Sequence, residues 1–552
     1  MKKTIALLAA AALLACACVK VDKSLGKSLV DKSLIFDTYT VEFPLEEISL
    51  QKSKDLSAFS DKRMTIGAIR DETFGLTTRE AAFALIPVLD TLDFGTNPTA
   101  VDFALYFALD SVSVADDSQK RIIQNLLVTE LLERVPTKMA STSAHLKHGT
   151  DLITNGIPTF NGSGAISIKF TQEYAQKYVN AIHELGPVLK DRESESGVDK
   201  YEDFVNRLPG IHVTTDTPDG FGGRINLFQF SCLSVESNYY RRNNNIGILK
   251  VHSTWDGVQK DSTFMFLPGE TEFEDEQAYL DANTKFYQYS YNTTTHSTES
   301  RKPEEVIYVE GGGGLKPVIR AKELQEKTRQ AIIAKGGDPD KATIIKASID
   351  LPFEMPDNYR ELEHFPTMLS PTIRTIKTDD EGNDIIAFAG LTDASVSTEN
   401  QGDIDRSNLC YSPDITYHMQ ELLTRTDLDT ATDADIWLLT IHTEKVAEAN
   451  GSAYDNEYYR NLMYASYYNS IYGNGYGYCG YGGYGGYGYN NYSNYYSYMM
   501  MAQMMASSTE QTYSYTSELD KDRYYKAVLN GPMAAQDAVP VFRVTFAIPE
   551  GD

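Results

Sequence analysis

From about residue 35 onward the chain is a succession of short apolar runs, and that succession limits its fold more than any other feature. "YTVEFPL", "RMTIGAIR", "FALYFALDSVSVA", "AISIKF", "GIHVTT", "RINLFQF", "IGILKVHSTW" and "STFMFLPG" follow one another in the first half. They are rich in β-branched and aromatic residues, several alternate, and Gly, Pro, Asp or Asn bounds most of them. A second series begins near Val306 with "EVIYVEGGGGLKPVIR" and ends with "VPVFRVTFAI". Many short strands separated by turn residues predict antiparallel sheets, with two jelly-roll-like β-sandwich domains as the expected arrangement.

Three segments break the pattern with helical spacing. In "TQEYAQKYVNAIHELG", Tyr174, Tyr178, Ile182 and Leu185 fall on one face. "AKELQEKTRQAIIAKG" is expected to be a helix stopped by Gly336 and Gly337, and "ITYHMQELLTR" a shorter one. Each half thus reads strands, helix, strands. The division drawn from this order is a first domain over 35–302 and a second over 303–552.

The segment 464–508 fits neither period. From Tyr464 to Tyr498 it holds 14 of the chain's 36 tyrosines, and no charged residue lies between Arg460 and Glu510. Its glycines are too dense for helix or strand, so it reads as an insertion in the second domain. A phenol ring can stack on a sugar and donate a hydrogen bond, and Met adapts to varied shapes. Tyr476, Tyr478, Tyr481, Tyr484 and Tyr487 are therefore candidate ligand contacts. Trp255, in "STWDG" at a strand end, is another; Trp437, in "DIWLLTIH", reads as core.

The N-terminus sets an expected location. "MKKTIALLAAAALLACAC" has two lysines followed by an apolar run too short to span a bilayer but suited to a secretory signal. It ends in "LLAC", which resembles a bacterial lipobox. The expectation is a signal peptide over 1–15, lipidation (a palmitate-type anchor) at Cys16, and a polar tether over 16–34. Cys18, preceded by "ACA", offers a poorer register. Cys232, Cys410 and Cys479 are scattered and form no disulfide framework or metal pair.

Charge excludes one class of partner. Fifty Lys and Arg stand against 77 Asp and Glu, a formal charge of −27, which repels phosphate backbones and argues against nucleic acid. Catalytic patterns are weak throughout. "HELG" at His183 lacks the second His of a zinc helix, and the pair in "HLKH", His145 and His148, has no third ligand at a matching spacing. "GGGG" at Gly311 leads into a strand, not a helix, so it reads as a hinge and not a phosphate cradle. "DLDTATDAD" at Asp427 and "DDEGND" at Asp379 cluster carboxylates without EF-hand spacing. No cofactor is called for.

"IGAIRDETFGLTTREAAF" (66–83), "YVEGGGGLKPVIRAKEL" (308–324), "LPGIHV…GRINLFQF" and the "YYKAVLNG" near the C-terminus together resemble one family. It is the uncharacterised Bacteroidetes lipoproteins catalogued as domain of unknown function forty-two-seventy. The resemblance covers nearly the whole mature chain and implies an outer-membrane or periplasmic lipoprotein with no established activity. It does not extend to the Tyr-rich insertion. The functional expectation is a non-catalytic binding or adhesion protein, with carbohydrate as first ligand class. Two alternatives stand beside it: an assembly subunit docking to an outer-membrane protein, and a glycoside hydrolase whose carboxylate pair forms only in space.

Overall fold

The computed structural model describes residues 36–60, 63–87, 92–136, 139–142, 146–186, 195–229, 233–234, 246–269, 285–286, 289–378, 384–396, 400–431, 433–447, 513–535 and 538–549. The signal, Cys16, the tether and the insertion with its five candidate tyrosines lie outside the described residues, as do Cys18, Cys232, Cys479 and His145.

The chain is mainly β, with few helices, and every strand pairing among the described residues is antiparallel. Two cores organise it. In the first, one sheet runs in the order His148–Leu152, Gln124–Leu131, Ile211–Thr215, Gly75–Phe83, Arg63–Asp71, Gly222–Gln229, Ser111–Val114. A second sheet runs Ala165–Lys169, Thr96–Ala108, Ile246–Trp255, Val258–Pro268, Leu85–Pro87. Alternate residues of both sheets share one core, in which Phe83 and Phe107 meet at 5.7 Å and Phe107 and Phe228 at 5.8 Å between ring centroids. Each such ring, removed from water, contributes roughly 1.5–3 kcal/mol.

The helix Gln172–Leu185 closes this core. The Thr171 side chain accepts from the Tyr174 backbone N–H and caps it, and Gly186, at φ +86°, ends it. Tyr174, Tyr178 and Ile182 are buried, as their spacing predicts, with Tyr178 5.2 Å from Phe103. A second helix, Glu195–Arg207, went unread in the sequence. Val198, Tyr201, Val205 and Leu208 stand at helical spacing there, but the run is short and charged residues fill most positions between them; Phe204, Val205 and Leu208 are buried.

The second core takes its strands from both ends of the chain. Phe36–Pro44 pairs over its whole length with Val541–Pro549, and Ile48–Lys52 pairs with Leu315–Ile319. Leu45, Ile48 and Leu50 are buried with Ile307, Leu324, Ile436 and Phe546. The strands before residue 53, grouped on sequence order with the first domain, therefore pack in the second core. Chain order cannot show this, because an antiparallel partner 500 residues away leaves no local mark. The helices Ala321–Ala334 and Thr416–Thr424 form where helical spacing predicts them and cover the same core.

Ile436–Ala447 and Tyr513–Leu519 make a hairpin, paired from Ile441↔Leu519 to Ala447↔Tyr513. The strand Met368–Thr378, on the other side, pairs with it only up to Ile441. The hairpin continues as a two-stranded ribbon over 444–447 and 513–516, roughly 13 Å at the usual strand rise. The described chain thus ends at Ala447 and resumes at Tyr513 as paired neighbours, and the insertion lies in the sequence between them.

Candidate functional site

Among the described residues, two polar places stand at opposite ends of access. The first is closed. The strands Val306–Glu310 and Leu315–Ile319 are joined by Gly311–Gly314, so the four glycines are a link between strands, as their sequence context predicts. Gly312 has φ +55°, and a Cβ there would lie 2.5 Å from the Arg79 Nη2; only glycine fits. The link folds around a cation. Lys316 Nζ donates to the carbonyls of Gly312 (2.9 Å), Gly314 (3.2 Å) and Glu310. Burial pushes its ammonium down to about 7, against the pull of Glu310 and Asp520.

Glu310 is the centre of this cluster and is fully buried. Its carboxylate accepts from His296 Nδ1 (3.2 Å), the Leu315 backbone N–H (3.1 Å), the Thr298 hydroxyl and the Lys526 ammonium. Lys526 sits directly across the strand pair from Glu310, donates to Thr77 Oγ1 at 3.1 Å, and lies 4.8 and 4.9 Å from the rings of Phe74 and Tyr524. Burial opposes the charge on Glu310, but the hydrogen bond from His296 and the Lys526 ammonium outweigh it and hold the carboxyl well below the usual range. Burial pushes His296 down to about 3, so it stays neutral, with Nδ1–H toward Glu310 and Nε2 facing the Thr294 hydroxyl at 3.1 Å. Burial, with Asp522 beside it, raises Asp520 to about 6. Thr77, Arg79 and His296 come from the first core's sheet, and Glu310, Lys316 and Lys526 from strands of the second. The cluster is a bolt between the two cores, and these side chains are buried.

The second place is open. A groove of 820 Å³ runs along the helix Gln172–Leu185, between it, the edge strand His148–Leu152 and the end of Glu195–Arg207. Glu173, Lys177, Asn180 and Glu184 line its helix wall, at the i, i+3/i+4 spacing of one stripe, over a length of about 16 Å. Its floor is apolar: Leu152, Ile153, Tyr174, Ala181 and Leu208. Both cations of the groove are spent. Lys177 pairs with Glu130 at 2.5 Å, and Arg207 with Glu184 at 2.8 Å and Asp203 at 2.7 Å. Asp151 and Glu173 are exposed and have no ion-pair partner among the described residues. Sequence reasoning saw the buried stripe of this helix and passed over the polar stripe beside it, because such a stripe is the ordinary solvated face of any amphipathic helix.

The other candidates fall elsewhere. Trp255 is half-buried beside the Asp256–Gly257 turn; its Nε1 donates to Ser253 Oγ at 2.9 Å, its edge lies on Gly95, and Lys260 Nζ sits 4.6 Å over the ring. One face of the indole is thus already used. Trp437 is buried and meets Phe388 at 5.4 Å. In the acidic loop, Arg425 grips Asp427 and Asp433, and Lys322 holds Asp429, which occupies the carboxylates a cation would need. His148 stands on a strand, stacked 4.2 Å from His212, whose Nε2 is 2.9 Å from Glu80. No group of three potential metal ligands occurs among the described residues, and none of their helices is long and apolar enough to cross a membrane.

No family model, no curated protein and no solved structure matches the chain.

Proposed function

We propose that the chain is a lipid-anchored lipoprotein of the cell envelope, a relative of the Bacteroidetes family it resembles, whose β body binds a ligand without transforming it. The observation that carries this reading is the contrast in access. The strongly shifted carboxyl, imidazole and ammonium groups are locked in a closed bolt between cores, while the open groove offers paired ions, amides and an apolar floor. Perturbed groups at a solvent-accessible cleft are what a catalytic site needs. Acylation at Cys16, ahead of a body that begins at Phe36, accounts for the membrane.

Carbohydrate is the first ligand class to test, through the phenols of 464–508 carried on the hairpin end and through Trp255. A glycan array should be run on the soluble body, on a version lacking 464–508, and on Ala181→Trp, which fills the groove. Binding lost with the deletion assigns the ligand to the insertion, and binding lost with Ala181→Trp assigns it to the groove. Turnover of a chromogenic glycoside panel would replace the binding reading with a hydrolase. A second reading, a subunit that docks to an envelope protein, is favoured by the unpaired edge of His148–Leu152 along the groove.

A further inference from the structure

Resting on that second reading, we propose that the groove takes an extended, basic segment of a protein partner, laid as an added strand on the edge of His148–Leu152. This strand ends its sheet: it pairs with Gln124–Leu131 on one side and with no strand on the other among the described residues. All its residues but Gly149 are exposed, and its register slips between His148 and Leu152, so its backbone is the least committed in the sheet. The edge closes just beyond, where the Thr171 N–H donates to the Ile153 carbonyl at 2.8 Å and Thr154 bridges Phe170. What remains is a slot with the Asp151–Leu152 end of the strand edge on one side and the helix on the other. Its length of about 16 Å matches roughly five extended residues. Exposed edges template added strands, with main-chain bonds giving affinity and pockets for alternate side chains giving specificity.

Charge selects the occupant. The groove's Lys177 and Arg207 are each held by carboxylates of the protein, whereas Asp151 and Glu173 are not, and the whole chain carries −27. An incoming Lys or Arg on alternate residues would meet those two carboxylates while its apolar neighbours rest on Ala181, Leu152 and Leu208. A glycan is less well served here. The Tyr174 ring is turned into the core, 5.1 Å from Phe170 and 5.4 Å from Tyr178, and offers no free face for stacking a sugar.

The test uses the full chain and three synthetic peptides of about eight residues, read by fluorescence anisotropy. One alternates Lys with Val and Thr, one replaces each Lys by Glu, and one carries a central Pro. The Lys peptide should bind, and the Glu and Pro peptides should bind at least tenfold more weakly. Ala181→Trp should abolish binding. Glu173→Lys, an exposed change that leaves the core untouched, should weaken the Lys peptide severalfold and strengthen the Glu peptide; it decides the matter if Ala181→Trp misfolds. Silence from all peptides, or Lys-peptide binding indifferent to both variants, overturns the proposal. If glycans lose binding with Ala181→Trp while peptides stay silent, the groove stands as a site and its peptide occupant falls. If both probes are silent, the groove reading falls too.

Discussion

The bolt around Glu310 and the groove along the helix Gln172–Leu185 use the same residue types to opposite ends. At the bolt, three charges are each matched by several partners inside the protein: four donors on Glu310, three carbonyls on Lys316, a carboxylate, a hydroxyl and two rings on Lys526. Two nitrogens of the buried Arg79 and one oxygen of Asp520 beside them have no hydrogen-bond partner among the described residues. Away from water, an unmatched charge costs several kcal/mol, so the matching around Glu310, Lys316 and Lys526 is what lets those charges stay buried. In the groove the pairs are half-exposed, water competes for them, and two carboxylates are left over. Burial of its charges makes the first a joint, and exposed carboxylates without an ion-pair partner among the described residues make the second a place for a ligand.

The comparison breaks most readily at Glu310. Glu310→Ala strands the buried Lys526 ammonium and should destabilise the fold by about 3–5 kcal/mol in denaturant unfolding; a loss under about 1 kcal/mol would mean the bolt is not closed. Gly312→Ala comes next. It forces a side chain to φ +55° and against the Arg79 guanidinium, and should cost about 2–4 kcal/mol. Gly336→Ala is its control: φ is +85° but nothing lies within 4 Å of the new Cβ, so strain alone should cost about 1–2 kcal/mol.

Acidity sharpens the contrast further. Asp520 titrates near 6 in the folded chain, above its ordinary 3.8, so the folded state binds the proton more tightly. Its stabilising effect appears as pH falls through about 6 toward 4, and the buried anion is a cost above that range. Asp520→Asn should therefore be more stable than the native chain at pH 8 by roughly 2–3 kcal/mol, with the gap closing by about pH 4. A gap independent of pH would show that Asp520 does not carry this titration. The smallest effect belongs to the groove, where Lys177→Ala should change stability by no more than about 1 kcal/mol, because its pair with Glu130 is solvated.

Much of the fold could be read before any coordinates. The β runs, the helix whose buried face holds Tyr174, Tyr178 and Ile182, and the strand–glycine–strand link at Gly311 are local patterns with local causes. So is the core placement of Trp437 inside an apolar strand. The helix Glu195–Arg207 was passed over although Val198, Tyr201, Val205 and Leu208 keep helical spacing, because the run is short and mostly charged between those positions.

What the amino-acid order determined alone is the menu: short antiparallel strands, three helices, a charge-free tyrosine segment and a lipobox-like start. Tertiary structure decided which pieces meet. Glu310 lies 14 residues from His296 and 216 from Lys526, and no spacing rule connects them. Phe36–Pro44 joins the second core because its partner is the last strand of the chain. The groove exists only because the helix and the sheet edge were brought side by side. Burial and long-range pairing belong to the folded chain, since they depend on distances that sequence separation does not encode.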